Sequence, residues 1–187
     1  TELEYRAGEL ENRDTIAKLS KRKRDGVYYT PEPVVNYLVE ETLSPWFADA
    51  KRDCGADKAD ATPSAIDEYE KRLKDIRIVD PACGSGAFLI SAFRRLLDER
   101  LKVAREREAV SGAKTAVAEQ AIIAEILTNN IYGVDINPAA VEIGKLALWL
   151  HSARANSPLS SLDHTIRCGN SLVGPDFWAG RAENADD

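Results

Sequence analysis

The sequence predicts an α/β domain in which a small parallel sheet is flanked by helices. Three short segments rich in β-branched residues, 76–79, 131–134 and 164–168, are each followed by a polar or glycine-rich turn, and helical patterns lie between them. Strands that alternate with helices predict parallel strands joined by right-handed crossovers. Ligands of such folds bind at the carboxyl ends of the strands, so the residues after each strand form the candidate site.

Composition excludes several classes of protein. The 187 residues carry 25 Lys and Arg against 31 Asp and Glu, a formal net charge of -6, so any contact with nucleic acid must be local. No apolar run reaches the roughly 18 residues of a membrane span, and the polar start is no secretory signal, so we expect a cytoplasmic protein. Because the sequence begins at Thr1 and contains no methionine, we expect a piece of a longer protein.

Cysteines and histidines show no metal-binding pattern. Cys54, Cys83 and Cys168 are far apart and form no C-x-x-C pair, and His151 and His164 lack ligand spacing with them. We interpret the histidines as structural or surface residues and Cys83 as a small buried apolar residue. We predict no metal site.

The N-terminal region is predicted to be helical. Residues 1–25 form a polar lead-in with a basic cluster near its end, which suits either DNA phosphate contact or a solvated linker, and residues 26–187 form the main region. Thr30 is a good N-cap and Pro31 suits the first helical position, so a helix is expected from there to about residue 43. An exposed loop at 51–64 and a short helix at 65–74 follow.

A glycine loop follows the first predicted strand. Asp80 and the loop at residues 81–86 (PACGSG) precede an apolar helical pattern that starts at Phe88. Gly84 and Gly86 lack Cβ atoms, so a ligand can lie against the backbone there, and the helix N-terminus favours an anionic group. We therefore expect Gly86→Val to abolish ligand binding by placing a side chain in the ligand's path.

The segments after the glycine-loop helix complete the predicted pattern. A charged stretch with a turn at residues 111–112 and a helix at 121–127 precede the second strand, and a helix at 139–150 separates it from the third.

Two polar residues follow the second and third predicted strands. Asp135 suits the two hydroxyls of a ribose, and Ile136 beside it can cover an adenine ring; alternatively, Asp135 caps the next helix, which Asn137 starts. Asn170 follows the third strand and either meets the ligand or is a turn former beside Gly169.

The spacing disfavours two familiar classes of glycine loop. The phosphate loop pattern G-x-x-x-x-G-K-[ST] is absent, and Leu89 stands where the dinucleotide fingerprint needs its third glycine. The fingerprint's acid is expected about 20 residues on, whereas Asp135 lies 55 positions after Asp80. An S-adenosylmethionine site is the third class and is not excluded.

Four segments resemble one enzyme family. Residues 80–88 (DPACGSGAF) resemble the S-adenosylmethionine loop of DNA adenine-N6 methyltransferases, and residues 27–31 (VYYTP) resemble the segment that these enzymes carry upstream of it. Residues 130–137 (NIYGVDIN) and 168–172 (CGNSL) resemble their second and third strand ends. The order is that of the gamma group, and the likeness, which covers about 26–174, is to large single-chain restriction-modification and phage-defence methylases.

The resemblance implies a Rossmann-like S-adenosylmethionine-dependent methyltransferase fold, here a partial parallel sheet with flanking helices and an N-terminal helical segment. It implies S-adenosyl-L-methionine as the cofactor. By the same resemblance, the cofactor-binding residues are Tyr29, Thr30 and Pro31 beside the methionine end, Asp80, Ala82, Cys83, Gly84, Ser85 and Gly86 beneath it, Asp135 and Ile136 at the ribose and adenine, and Asn170 at the adenine edge.

The family's catalytic tetrapeptide, of the type [DNS]-P-P-[YFW], is missing, because the sequence contains no Pro-Pro pair. We therefore assign no catalytic residue and expect the isolated chain to be inactive. The resemblance implies double-stranded DNA as a partner of the full-length protein, through a C-terminal target-recognition domain, and a fused or partner endonuclease. A nicotinamide-dependent oxidoreductase, a non-catalytic nucleoside-binding or scaffold module, and a methyltransferase of RNA or protein remain alternatives.

Overall fold

A computed structural model describes residues 30–111, 119–153 and 161–173. The chain separates into two compact units, Thr1–Thr30 and Pro31–Asp187, and the elements below belong to the second. They are α1 (Glu32–Asp53), α2 (Pro63–Asp75), β1 (Ile78–Asp80), α3 (Ala87–Ser111), α4 (Glu119–Asn129), β2 (Ile131–Asp135), α5 (Pro138–Ser152) and β3 (Ile166–Cys168). The predictions for residues 1–25 and for Tyr29 lie outside the described residues.

The sheet has the predicted parallel arrangement. Its strand order is β1-β2-β3, with both pairs parallel. Asp80 at the end of β1 pairs with Gly133, and Asp135 at the end of β2 pairs with Cys168 at the end of β3. The carboxyl ends of all three strands therefore meet at one edge, and the predicted α/β class is confirmed.

One face of the sheet lies in the hydrophobic core. Ile131 and Ile166 are each 1% exposed on this face, whereas Val79, which points to the opposite face, is 64% exposed. The largest side chains buried with them come mainly from the helices: Tyr69, Leu73, Leu89, Phe93, Leu96, Ile123, Ile126, Leu127 and Leu148. Alternation along each strand thus directs the apolar contacts to one side.

Helix α1 differs from its predicted bounds at both ends. It begins at Glu32, so Pro31, not Thr30, is the N-cap residue, and Pro31 is not the first helical residue. The Pro31 carbonyl accepts from the N–H groups of Val34 and Val35 at 2.9 and 3.1 Å, and Pro33 falls in the first turn, where its missing N–H needs no partner. The prediction for this helix start was therefore wrong by one residue.

The second half of α1 was predicted as a boundary and loop. The helix continues to Asp53 with Pro45 inside it. Phe47 and Ala50 are 3% and 4% exposed, so burial against the core offsets the single hydrogen bond that the proline removes. The predicted loop at 51–64 therefore starts only after Asp53.

Smaller boundary differences have local causes. Helix α2 begins at Pro63 because the Thr62 side chain caps it, accepting from the Ala65 N–H at 3.3 Å. Strand β1 begins at Ile78 rather than 76, because Ile76 is the C-cap of α2. Helix α3 runs through Ser111, so the predicted turn does not interrupt it before that residue. Within the described ranges, no helix has both the length and the apolarity to cross a membrane.

Candidate functional site

The glycine loop is a tight turn over the carboxyl edge of the sheet. The Ala82 N–H donates to Asp80 Oδ1 at 3.0 Å, and the Gly86 N–H donates to the Cys83 carbonyl at 2.8 Å. The Cys83 N–H donates to the Val134 carbonyl at 2.9 Å, which fixes the loop to the end of β2. Helix α3 starts directly after the loop, so its free N–H groups lie at this edge, as predicted.

Two glycines of the loop have different surroundings. Gly84 and Gly86 both have positive φ, +52° and +87°, which side-chain-bearing residues rarely adopt. A Cβ on Gly84 meets nothing within 4 Å, whereas a Cβ on Gly86 would lie 3.3 Å from Gly144 Cα. Gly84 thus faces open space and Gly86 faces α5. The expected reason for failure of Gly86→Val was wrong, because its side chain collides with a helix and not with the space open to a ligand.

Sequence reasoning missed the glycine on the other side of this contact. Gly144 lies inside α5, and a Cβ there would come within 3.3 Å of the Ser85 carbonyl carbon and 3.5 Å of the Gly84 oxygen. The loop and the helix therefore touch backbone to backbone. The available signal was a glycine inside an apolar helical pattern, which costs helix stability and usually has a packing reason.

Asp135 connects three segments at the carboxyl edge. Its Oδ2 accepts from the Gly84 N–H and its Oδ1 from the Asn137 N–H, both at 2.8 Å. Its backbone carbonyl accepts from the Gly169 N–H at 2.9 Å. The N-cap of α5 is Asn137, whose Oδ1 accepts from the next two free N–H groups of the helix. The alternative in which Asp135 is that cap is therefore wrong.

Two exposed aliphatic side chains flank this edge. Ile136 is 67% exposed, and its carbonyl accepts from the Cys168 thiol at 3.7 Å, so the ends of β2 and β3 lie side by side. Asn170 Oδ1 accepts from the Leu172 N–H at 3.0 Å, which confirms a turn-forming role, and Leu172 is 91% exposed. The Asn170 side chain itself is exposed.

Burial and negative charge raise the pKa values of two groups at this edge, the Asp80 carboxyl and the Cys83 thiol. Burial raises the pKa of the Asp80 carboxyl, and the nearby Asp135 carboxylate adds to the rise, while the Ala82 N–H opposes it. The pKa of the Cys83 thiol rises to about 11, because the thiol is buried and both carboxylates repel a thiolate. Cys83 is 6% exposed, which confirms the interpretation of a small buried residue.

Three of the predicted site residues lie upstream of α1. Tyr29 is outside the described residues, and Thr30 belongs to the other compact unit. Pro31 precedes α1, whose Asn36 accepts from the Ser91 hydroxyl of α3 at 2.8 Å. That α1 packs on the helix following the glycine loop is therefore observed, and contact of these three residues with a ligand stays a prediction.

A polar cavity of about 400 Å³ lies near the amino ends of β1 and β2, away from the candidate site. There Arg77 donates to the carbonyl of Asn129, the last residue of α4, and Asn130 donates to the Leu73, Lys74 and Ile76 carbonyls near the end of α2. Cations and amides commonly satisfy helix C-termini in this way. We assign these cavity residues a structural role.

A glycine loop, an acid and an asparagine lie together at the carboxyl edge of a parallel sheet, which is typical of α/β proteins that bind a nucleotide cofactor. Residues 56–172 match the family model described as MmeI, DNA-methyltransferase domain. The chain belongs to this family. The resemblance to DNA methyltransferases that the sequence motifs indicated is therefore confirmed.

Several relatives have matching names. A Methanocaldococcus jannaschii protein named a type II restriction enzyme and methyltransferase is 33% identical over 180 residues, covering 80% of this chain and 14% of its own length. DNA methyltransferase A of Bacillus subtilis is 25% identical, covering 84% of this chain and 18% of its own. Adenine-specific methyltransferase PglX of Streptomyces coelicolor is 31% identical, with 78% and 9% covered. The chain thus spans less than a fifth of these relatives.

Proposed function

We propose that the chain is the cofactor-binding part of a DNA adenine-N6 methyltransferase of a restriction-modification or phage-defence system. In this proposal the fold is the Rossmann-like methyltransferase fold, the cofactor is S-adenosylmethionine, and the full-length protein acts on double-stranded DNA in the cytoplasm. The observation that carries the proposal is the Asp135 carboxylate 2.8 Å from the Gly84 N–H, beside a loop whose outer side is open.

The residues at this edge fit the cofactor chemically. Each Asp135 carboxylate oxygen accepts one backbone N–H and keeps a second lone pair, which suits the two ribose hydroxyls. The exposed Ile136 side chain next to it offers an apolar surface to an adenine ring. Gly84 allows close approach of the methionine part, because a Cβ there would meet open space.

The described residues supply binding and orientation, and we assign them no chemical step. Bound S-adenosylmethionine supplies an electrophilic methyl group for in-line attack by the adenine N6. Such a transfer depends on alignment and on exclusion of water. The tetrapeptide that would hold the target base is absent from the 187 residues, so we expect no methyl transfer by this chain alone. Turnover on adenine-containing DNA in a radioactive methyl-transfer assay would contradict this expectation.

Calorimetric titration tests the cofactor class. We expect the chain to bind S-adenosylhomocysteine and not NAD. Asp135→Ala should weaken S-adenosylhomocysteine binding by about 1 to 3 kcal/mol, the usual loss for hydrogen bonds to a charged acceptor. Asp98→Ala, at an exposed acid in the middle of α3, serves as the control and should not change the affinity. Comparable binding of NAD, or full affinity in Asp135→Ala, would refute the proposal.

A further inference from the structure

We propose that Asp135 positions the glycine loop as well as binding the ribose, so that one carboxylate serves both halves of the cofactor site. This inference rests on the proposed function. It assigns Asp135 as a positioning residue for the Gly84 peptide, a role distinct from its direct contact with the nucleoside.

The contacts of Gly84 are the basis of this assignment. Its N–H donates to Asp135 Oδ2 at 2.8 Å, across 51 positions of sequence. It has no side chain, its φ of +52° is easily left by a glycine, and space for a Cβ is open. The other end of the same peptide is the Cys83 carbonyl, which accepts from the Gly86 N–H at 2.8 Å. The peptide is therefore held within the loop by Gly86 and tied to the end of β2 by Asp135. A hydrogen bond to an ionised carboxylate is about twice as strong as one between neutral groups, so the Asp135 bond is the stronger of the two that hold this peptide in its orientation.

The second bond of the carboxylate keeps it rigid. Asp135 Oδ1 accepts from the N–H of Asn137, and Asn137 in turn caps α5. The carboxylate is therefore held by the start of one helix while it holds the loop that starts another. A ribose that binds the remaining lone pairs meets an acceptor already oriented, and the Gly84 peptide is oriented with it.

The affinities of two ligands distinguish the ribose-binding role of Asp135 from its role in positioning the loop. Adenosine occupies only the nucleoside half, whereas S-adenosylhomocysteine also occupies the loop half. Asp135→Asn keeps the shape but replaces one acceptor oxygen with a donor group, so it can accept from only one of the two N–H groups. We expect it to weaken S-adenosylhomocysteine about three- to tenfold more than adenosine, the effect of losing roughly one hydrogen bond.

Ile136→Ala is the matched control. This neighbouring side chain is 67% exposed and makes no bond to the loop through its side chain, so its loss should weaken both ligands by the same factor. Equal losses for the two ligands in Asp135→Asn as well would overturn the positioning role while leaving the proposed function intact.

Amide NMR of the wild-type chain covers the case in which Asp135→Asn does not fold. Without ligand, the Gly84 amide should exchange at least about tenfold more slowly than an unbonded loop amide. Adenosine alone should shift the Gly84 resonance and leave that of Gly55, a positive-φ glycine following α1, unchanged. An unprotected Gly84 amide would overturn the inference whether or not any ligand binds. Failure of the wild type to bind either ligand would instead refute the proposed function.

Discussion

The two glycines of the loop differ in what surrounds the position of the missing Cβ atom. Gly84 and Gly86 are two residues apart in one loop and share a positive φ, yet only on Gly86 would a Cβ meet the backbone of another element. For Gly84 the missing Cβ matters for conformation and for access to the loop. For Gly86 it matters also for packing against α5, so the two positions should respond differently to the same substitution.

Alanine at each position measures this difference. Gly84→Ala should lower the free energy of unfolding by about 1 kcal/mol, the conformational cost of a positive φ. Gly86→Ala adds a contact at 3.3 Å with Gly144 Cα, and we expect a loss of about 2 kcal/mol or more. Urea unfolding of both variants gives the comparison. Equal losses would mean that α5 yields to the added methyl group.

The charge of Asp80 should reduce stability at neutral pH. Its pKa is raised, first by burial and then by Asp135, so the folded state binds the proton more tightly than the unfolded state does. The contribution of this group to stability therefore improves as the pH falls through the raised folded-state pKa towards its ordinary value of 3.8.

Asp80→Asn tests this effect. The asparagine oxygen can still accept from the Ala82 N–H, but the charge is gone. We expect the free energy of unfolding of the variant to exceed that of the wild type by up to about 1 kcal/mol at pH 7. The advantage should shrink as the pH falls, because wild-type Asp80 takes up a proton as the pH passes below its raised pKa. Thermal unfolding at several pH values measures it, and an advantage that grows in acid would contradict the assigned cause.

Helix α5 supports the site because its backbone packs against the backbone of the glycine loop. Its buried positions are Val141, Gly144, Leu148 and Ser152, while Leu146 on its outer side is 54% exposed. The buried positions recur every three or four residues, as expected for one face of a helix. Gly144 is the point on this face where the helix meets the glycine loop, so the element that follows β2 fixes the turn that follows β1.

Valine at two positions of α5 tests this support. Gly144→Val should destabilise the chain by about 1 to 3 kcal/mol, because its side chain is forced onto the Ser85 and Gly84 backbone. Leu146→Val introduces the same residue on the exposed side and should change stability by about 0.5 kcal/mol or less. Urea unfolding compares the two variants. Similar changes in stability for both variants would show that the close contact between α5 and the glycine loop does not limit the side chain at Gly144.

Much of the whole molecule follows from sequence, but not the contacts that complete the site. The alternation of strands and helices predicted the parallel sheet, and that topology brings Asp80 and Asp135 to one edge. The extension of α1 past Pro45 was missed because tertiary burial decided it. The Asp135–Gly84 bond and the Gly86–Gly144 contact were also missed, since they join residues 51 and 58 positions apart and leave no local pattern.

The asymmetry of the sheet gives a test for the whole molecule. Ile131 and Val79 are β-branched residues on adjacent strands, but Ile131 is 1% exposed in the core and Val79 is 64% exposed on the other face. Ile131→Ala should cost about 2 to 5 kcal/mol, the usual range for a buried aliphatic side chain that leaves a cavity. Val79→Ala should cost about 0.5 kcal/mol or less, because little area is buried there. Chemical unfolding of both variants measures the difference; a large loss for Val79→Ala would mean that the second face of the sheet is covered in solution.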